Sequence, residues 1–269
     1  MKRIDPLSHA LHRTSRPHGP LMLMYHAVSA GGEQPRWPWA VSMRRFCEQL
    51  DYLADAGYRT PTMGELVAAP ERYADQRTVV ITFDDGYIDN LYACEALVSR
   101  GMRASWFIVS GSVGRDPTWS DDGRPRGRML NAAELTEMRV AGMEIGSHTV
   151  HHAKLTEADD TALHAELADS KRNLEDMLGA PVTSFAYPYG AWDARCADAV
   201  KTAGYAAACT TRTGWALRDN DPYRLRRLTV FNTDTLSRVA RKLAYASHAI
   251  DWTELAAYYA GALTRRIRP

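Results

Sequence analysis

The amino-acid sequence predicts an α/β fold, a parallel sheet wrapped by helices. Three observations predict it. Strand-like and helical runs alternate along the chain, the pattern of strands joined by helical crossovers. Several of the strand-like runs end in carboxylates, histidines or a Pro-Tyr-Gly turn, and irregular backbone and ligands belong at the rim of a sheet. The 269 residues are 45% hydrophobic and 24% charged, enough for one large core, and α/β barrels of this length are usually single domains.

Residues 1–20 read as a basic, polar N-terminal extension with His9, His12, Pro17 and His18 and no apolar signal core. From residue 21 to 269 the chain reads as one domain. Strand candidates are 21–26, 78–83, 104–109, 143–148, 184–187, 206–210 and 228–231. Between them Met43, Phe46, Leu50 and Leu53 share one helix face, and Leu163, Leu167, Leu174 and Leu178 form a second stripe before a helix-ending Gly179. Thr62-x-x-Glu65 and Asn131-x-x-Glu134 are capping boxes that open two further helices. One long irregular stretch, Gly111 to Arg128, carries Trp119, Asp121, Asp122 and four arginines. Following a strand, such a loop would lie over the ligand-bearing face, where it could contact a sugar or an anionic carrier.

Composition excludes several classes. A formal net charge of +1 gives no general field for nucleic acid. No segment reaches the ~18 apolar residues of a membrane span. Cys47, Cys94, Cys196 and Cys209 lack paired spacing and read as buried thiols. With no export signal, the expected location is the cytoplasm or the inner face of the membrane.

Three motifs carry chemistry. Val80-Ile81-Thr82-Phe83-Asp84-Asp85-Gly86-Tyr87 is an apolar run that delivers two adjacent carboxylates to a strand end. Neighbouring carboxylates repel, so the doublet calls for a metal, an arginine or a shared proton. Gly146-Ser147-His148-Thr149-Val150-His151-His152 ends a second strand with His148 and His152 four residues apart, a spacing that lets two imidazoles converge on one ion. One carboxylate and two imidazoles leave a coordination position open, as catalytic zinc sites do. His151 would point another way, to the surface or in support of a ligand. The third motif, Ser184-Phe185-Ala186-Tyr187-Pro188-Tyr189-Gly190, can bend sharply at its proline and glycine and aim the Tyr189 N–H at a ligand.

Taken in order, these motifs resemble the polysaccharide deacetylase family, also called carbohydrate esterase family four, over roughly residues 21–231. The resemblance implies a distorted (β/α) barrel of about seven strands. It implies one divalent metal, usually zinc, with cobalt or nickel as alternatives, and removal of acetyl groups from N-acetylated sugars. Carried over by position, Asp84 resembles the general base, Asp85, His148 and His152 the metal ligands, and the Tyr189 N–H the oxyanion donor. Tyr187, Pro188, Trp119 and Arg227 are candidate substrate-binding residues. The substrate would be an N-acetylated sugar in a glycan or a lipid- or nucleotide-linked intermediate.

Two departures matter. Many members place an arginine before the Tyr-Pro pair, against the base, where this chain has Ala186. Arg227 is the candidate to take that role. The C-terminal Leu-x-His that supplies the general acid in many members is also missing. His248 lies in the right region but in the wrong setting, whereas Leu21 to His26 resembles the strand ending Tyr-His of a permuted branch, which makes His26 the expected acid. An ionised Asp84 and a protonated His26 in the free enzyme predict a bell-shaped pH dependence. Two rival readings stay open: a carbohydrate-binding pseudo-enzyme on the same fold, favoured by the two departures, and another amide or imide hydrolase, which metal content would separate.

Overall fold

The structure, a computed structural model, describes residues 4–31, 34–74, 76–119 and 123–253. Seven strands form one sheet: β1 (Leu21–Tyr25), β4 (Val79–Asp85), β5 (Ser105–Ile108), β6 (Glu144–Ser147), β7 (Ser184–Ala186), β8 (Ala207–Cys209) and β9 (Leu228–Thr229). Their order is β8-β7-β6-β5-β4-β1-β9, and each pairing is parallel. These are the seven strands the sequence predicts, with no end shifted by more than two residues. A second, two-stranded parallel sheet, β2 (Ala27–Ser29) on β3 (Ala40–Ser42), is an addition the sequence did not announce.

The large sheet curls into a distorted barrel. One segment bridges its open side. Leu225 donates to Ala208 O at 3.0 Å and accepts from Thr210 N at 2.9 Å, and three residues later Leu228 and Thr229 pair with Leu23 and Met24. Strand alternation divides the apolar side chains into two sets. Met22, Val80, Phe107, Ala186 and Cys209 cluster on the concave face, whereas Leu23, Ile81, Phe83, Trp106 and Phe185 join the main core.

That core is closed by helices whose signals are local. Ser42 caps α2 (Met43–Asp55), which buries Phe46, Leu50 and Leu53. Both capping boxes form, on α3 (Met63–Ala68) and α5 (Ala132–Val140). The Leu163, Leu167, Leu174 and Leu178 stripe of α6 (Asp160–Leu178) is buried, and Gly179 ends the helix in the left-handed conformation. Further helices are α4 (Asn90–Val98), α7 (Ala194–Thr202) and α8 (Leu236–Tyr245). The N-terminal segment contains α1 (Pro6–Thr14), whose buried Ser8 accepts from Arg241 of α8 at 2.5 Å and whose His12 bonds Tyr52 of α2 at 2.6 Å. Cys94, Cys196 and Cys209 are buried free thiols, and Cys47 is half-buried.

Candidate functional site

Alternation alone would send Asp84 and Asp85 to opposite faces of the sheet. Val80, Thr82 and Asp84 fall on the concave side of β4. Asp85 has φ 74°, a left-handed backbone that ends the alternation, and both carboxylates line one cavity of about 520 Å³. The cavity lies at the C-terminal rim, where α/β barrels build sites from several strand ends. Thr149 (φ 70°), His152 (φ 59°) and Tyr189 (φ 59°) share the left-handed conformation, so the rim concentrates backbone that non-glycine residues adopt only when the surroundings enforce it.

Asp84 is gripped by Arg227. The guanidinium donates to both carboxylate oxygens, at 2.6 and 2.8 Å, and also to Thr210 O at 3.0 Å and Thr82 Oγ1 at 3.3 Å. It sits 5.7 Å from the Phe107 ring centroid, and Gly146 leaves room for that ring: a Cβ there would stand 2.7 Å from Phe107. Burial alone would raise the Asp84 pKa. The Arg227 charge, with His148 and His26 adding to it, more than offsets this and holds the carboxyl down at about 2.

Asp85, His148 and His152 bring a carboxylate oxygen and two imidazole nitrogens within 4.8 Å of one another. Asp85 Oδ1 lies 3.6 Å from His148 Nε2 and 3.4 Å from His152 Nε2. His148 Nδ1 is 2.7 Å from the Ala186 carbonyl. That oxygen can only accept, so the ring proton sits on Nδ1 and the Nε2 lone pair faces the cluster. Burial drives both imidazoles toward the neutral form, His152 to about 2, with the proximity of His148 adding to its shift. Two neutral imidazoles and one carboxylate around an open position are a donor set that fits a divalent ion of the zinc type.

His26 closes another side of the cavity, edge-on to Trp37 with ring centroids 5.9 Å apart and 6.3 Å from Trp39. Its carbonyl accepts from Asn90 Nδ2 at 2.8 Å, and the Asn90 amide oxygen accepts from Trp106 Nε1 at 3.2 Å. Burial pushes the His26 pKa down to about 4; Asp84 pulls it up, and Arg227 and His148 oppose that pull. Burial therefore favours the neutral ring, against the expectation of a charged His26 in the free protein. Tyr189, 59% exposed, packs its ring 4.5 Å from His152, which Trp119 also flanks at 4.6 Å. A Cβ at Gly190, where φ is 67°, would stand 2.0 Å from Thr211 Oγ1, so the turn requires glycine.

Three of the candidate substrate contacts lie away from the cavity lining. Tyr187 is sealed in the core with its hydroxyl donating to Tyr223 O at 3.1 Å, Pro188 is buried behind the turn, and Arg227 is engaged with Asp84; none lines the cavity. Trp119 does line it. Asp121 and Asp122 lie outside the described residues, and Arg128 of the same loop is paired with Glu134 at 2.6 Å. His151 is exposed and bonds Glu166. His248 follows α8 and accepts from Thr229 N at 2.8 Å, satisfying a donor of the edge strand. Trp37 and Trp39 were missed. Their signal was a Trp-Pro-Trp triplet in a chain with 7 tryptophans.

A curled parallel sheet carries this cluster on its rim, where α/β barrels build their sites. The polysaccharide deacetylase family model matches residues 71–208. YxkH of Bacillus subtilis (strain 168), a polysaccharide deacetylase by name, is 31% identical over 221 residues, 81% of this chain and 74% of the relative. BC0361, a polysaccharide deacetylase from Bacillus cereus, superposes with TM-score 0.70 at 26% identity, covering 84% of this chain and 69% of that one. The Streptococcus pyogenes deacetylase PplD, solved with acetate, shares the fold at TM-score 0.72 and 24% identity, over 84% and 99% of the two chains. The chain belongs to the polysaccharide deacetylase family. Among its described residues no helix is long and apolar enough to cross a membrane.

Proposed function

We propose that this protein is a metal-dependent de-N-acetylase, acting on an N-acetylated amino sugar in a glycan or glycoconjugate intermediate. The observation that carries the reading is the pairing, in one cavity, of an arginine-clamped Asp84 with the Asp85, His148 and His152 donor set. A binding module has no need of a buried base beside a metal site.

Asp85, His148 and His152 hold the divalent ion, of which zinc is the proposed native species. When bound, the ion supplies Lewis-acid polarisation of the acetamide carbonyl and eases deprotonation of water. Asp84 is the general base. Clamped and ionised, it accepts the proton of the attacking water. The Tyr189 N–H donates to the oxygen on which negative charge develops. His26 is the general acid, since an amine leaves poorly as an anion. Burial favours the neutral His26 ring, and the Asp84 charge in the same cavity favours the protonated form that donation requires. Trp37 and Trp39 on one side and Trp119 on another offer apolar faces for the sugar ring.

The test is acetate release from a panel of N-acetylated sugars and glycans after loading with zinc, cobalt or nickel, with Asp84→Asn as the control. Release by metal-loaded wild type, lost on chelation and absent in the control, supports the reading. A loaded protein that binds the glycans and releases no acetate from any of them would sink it in favour of a binding module.

A further inference from the structure

The two imidazoles of the Asp85-His148-His152 cluster are aimed by different means. His148 is fixed through its own ring, by the 2.7 Å bond from Nδ1 to Ala186 O. His152 Nδ1 is buried and bonds none of the described residues, so the direction of that ring follows from its backbone and from packing between Trp119 and Tyr189. That backbone is unusual. Thr149 and His152 bracket a turn with φ of 70° and 59°, a backbone that persists only where neighbours enforce it.

One side chain grips the middle of the turn. Glu166, in the second turn of α6, accepts through Oε2 from Val150 N at 2.8 Å and His151 N at 3.0 Å, and its Oε1 lies 2.6 Å from His151 Nδ1. From the other side, Ser110 N and Gly111 N donate at 3.0 Å to the carbonyls of Thr149 and Val150. Gly111 makes that approach feasible, because a Cβ there would stand 2.6 Å from Val150 O. The carbonyls of the turn are thus held by backbone, and the two N–H groups between its left-handed residues by a single carboxylate.

We propose that Glu166 is a positioning residue for the metal site: it clamps the 149–152 turn so that His152 Nε2 faces Asp85 and His148. His151 is the outer leg of the clamp and not a ligand. The inference rests on the metal-binding reading above. Removing an outer partner of a metal ligand typically weakens affinity about 10- to 100-fold.

The experiment is zinc affinity by competition with a chromophoric chelator, together with the visible spectrum of the cobalt-loaded protein, for wild type, Glu166→Ala, Glu166→Gln and His151→Ala. Glu166→Ala is expected to lose about 10- to 100-fold in affinity and to change the cobalt spectrum. Glu166→Gln keeps an oxygen that can accept from both N–H groups and is expected between it and wild type; His151→Ala, which leaves both backbone bonds, is expected within a few-fold of wild type. Folded Glu166→Ala with wild-type affinity and spectrum overturns the proposal, even with a lowered melting temperature. Should that variant fail to fold, wild-type affinity and spectrum in Glu166→Gln overturn it. A wild-type protein that binds neither zinc nor cobalt rejects the metal reading itself, a different result from unchanged variants.

Discussion

Arg227 and Asp84 are joined by two parallel hydrogen bonds of 2.6 and 2.8 Å, with both side chains buried. The pair ties the segment that bridges the barrel's open side to the end of β4, so it fixes the site and closes the sheet at once. Removing one partner of a buried pair leaves an uncompensated charge and costs about 3–5 kcal/mol. Arg227→Met is therefore expected to lower the urea midpoint strongly, and Asp84→Asn combined with it to cost less than the two single changes together. Additive effects in that double-mutant cycle would show that the two groups do not depend on each other.

Asp84→Asn is expected to keep its metal and lose activity. The amide matches the carboxylate in size but cannot accept a proton from water, and general-base losses run to about 10²- to 10⁴-fold. Metal analysis and acetate release on the same preparation check it. Activity within a few-fold of wild type would place the base elsewhere.

His148→Ala and His152→Ala are each expected to remove most bound metal and nearly all activity while leaving the far-ultraviolet circular dichroism unchanged. The ligands stand on the rim, and neither belongs to the apolar clusters that hold the sheet. Full metal occupancy in the double variant would reject the site.

The seven strands and the Asp85-His148-His152 cluster were legible because each rests on local signals: apolar runs, a carboxylate doublet, a histidine spacing, capping boxes. What was not legible depends on partners distant in sequence. Three-residue strands such as β2 and β3 exist only because they pair, and they place Trp37 and Trp39 beside His26. The arginine run around Arg227 reads equally as a solvated edge until the segment crosses the barrel gap. Burial cannot be read from Tyr187 or Pro188, whose motif neighbour Tyr189 is exposed, nor the protonation of His26 without its tryptophan neighbours.

Acidification is expected to destabilise the fold through its buried histidines, with Asp89, whose carboxyl burial raises to about 6, opposing part of the loss. Burial is the first cause that lowers the pKa of His12, His26 and His248 to about 4 and of His152 to about 2, from 6.5. Depressed histidines hold fewer protons folded than unfolded. Stability from this source is therefore complete above the unfolded value near pH 6.5 and falls as pH drops toward 4. Asp84 adds a second loss further down, since its carboxyl is depressed from 3.8 to about 2. Urea midpoints of the chelated protein measured across that range check the sign; a midpoint that rises on acidification would contradict these environments.

The assignment of His26 as the acid carries the most distinctive expectation. His26→Ala should depress cleavage of an N-acetyl amide far more than cleavage of an activated acetate ester, because a stabilised phenolate leaves without a proton and an amine does not. With its pKa held near 4 by burial, His26 should impose no alkaline limb on kcat/KM between about pH 6 and 8. An alkaline limb in that range that vanishes in His26→Ala would mean that the ring is charged in the free enzyme after all. His248→Ala removes the acceptor for the Thr229 N–H and should lower stability while affecting both substrates alike. Equal losses on amide and ester for His26→Ala would reduce His26 to a structural or substrate-positioning role. A selective loss on the amide for His248→Ala would move the acid to the C-terminal histidine.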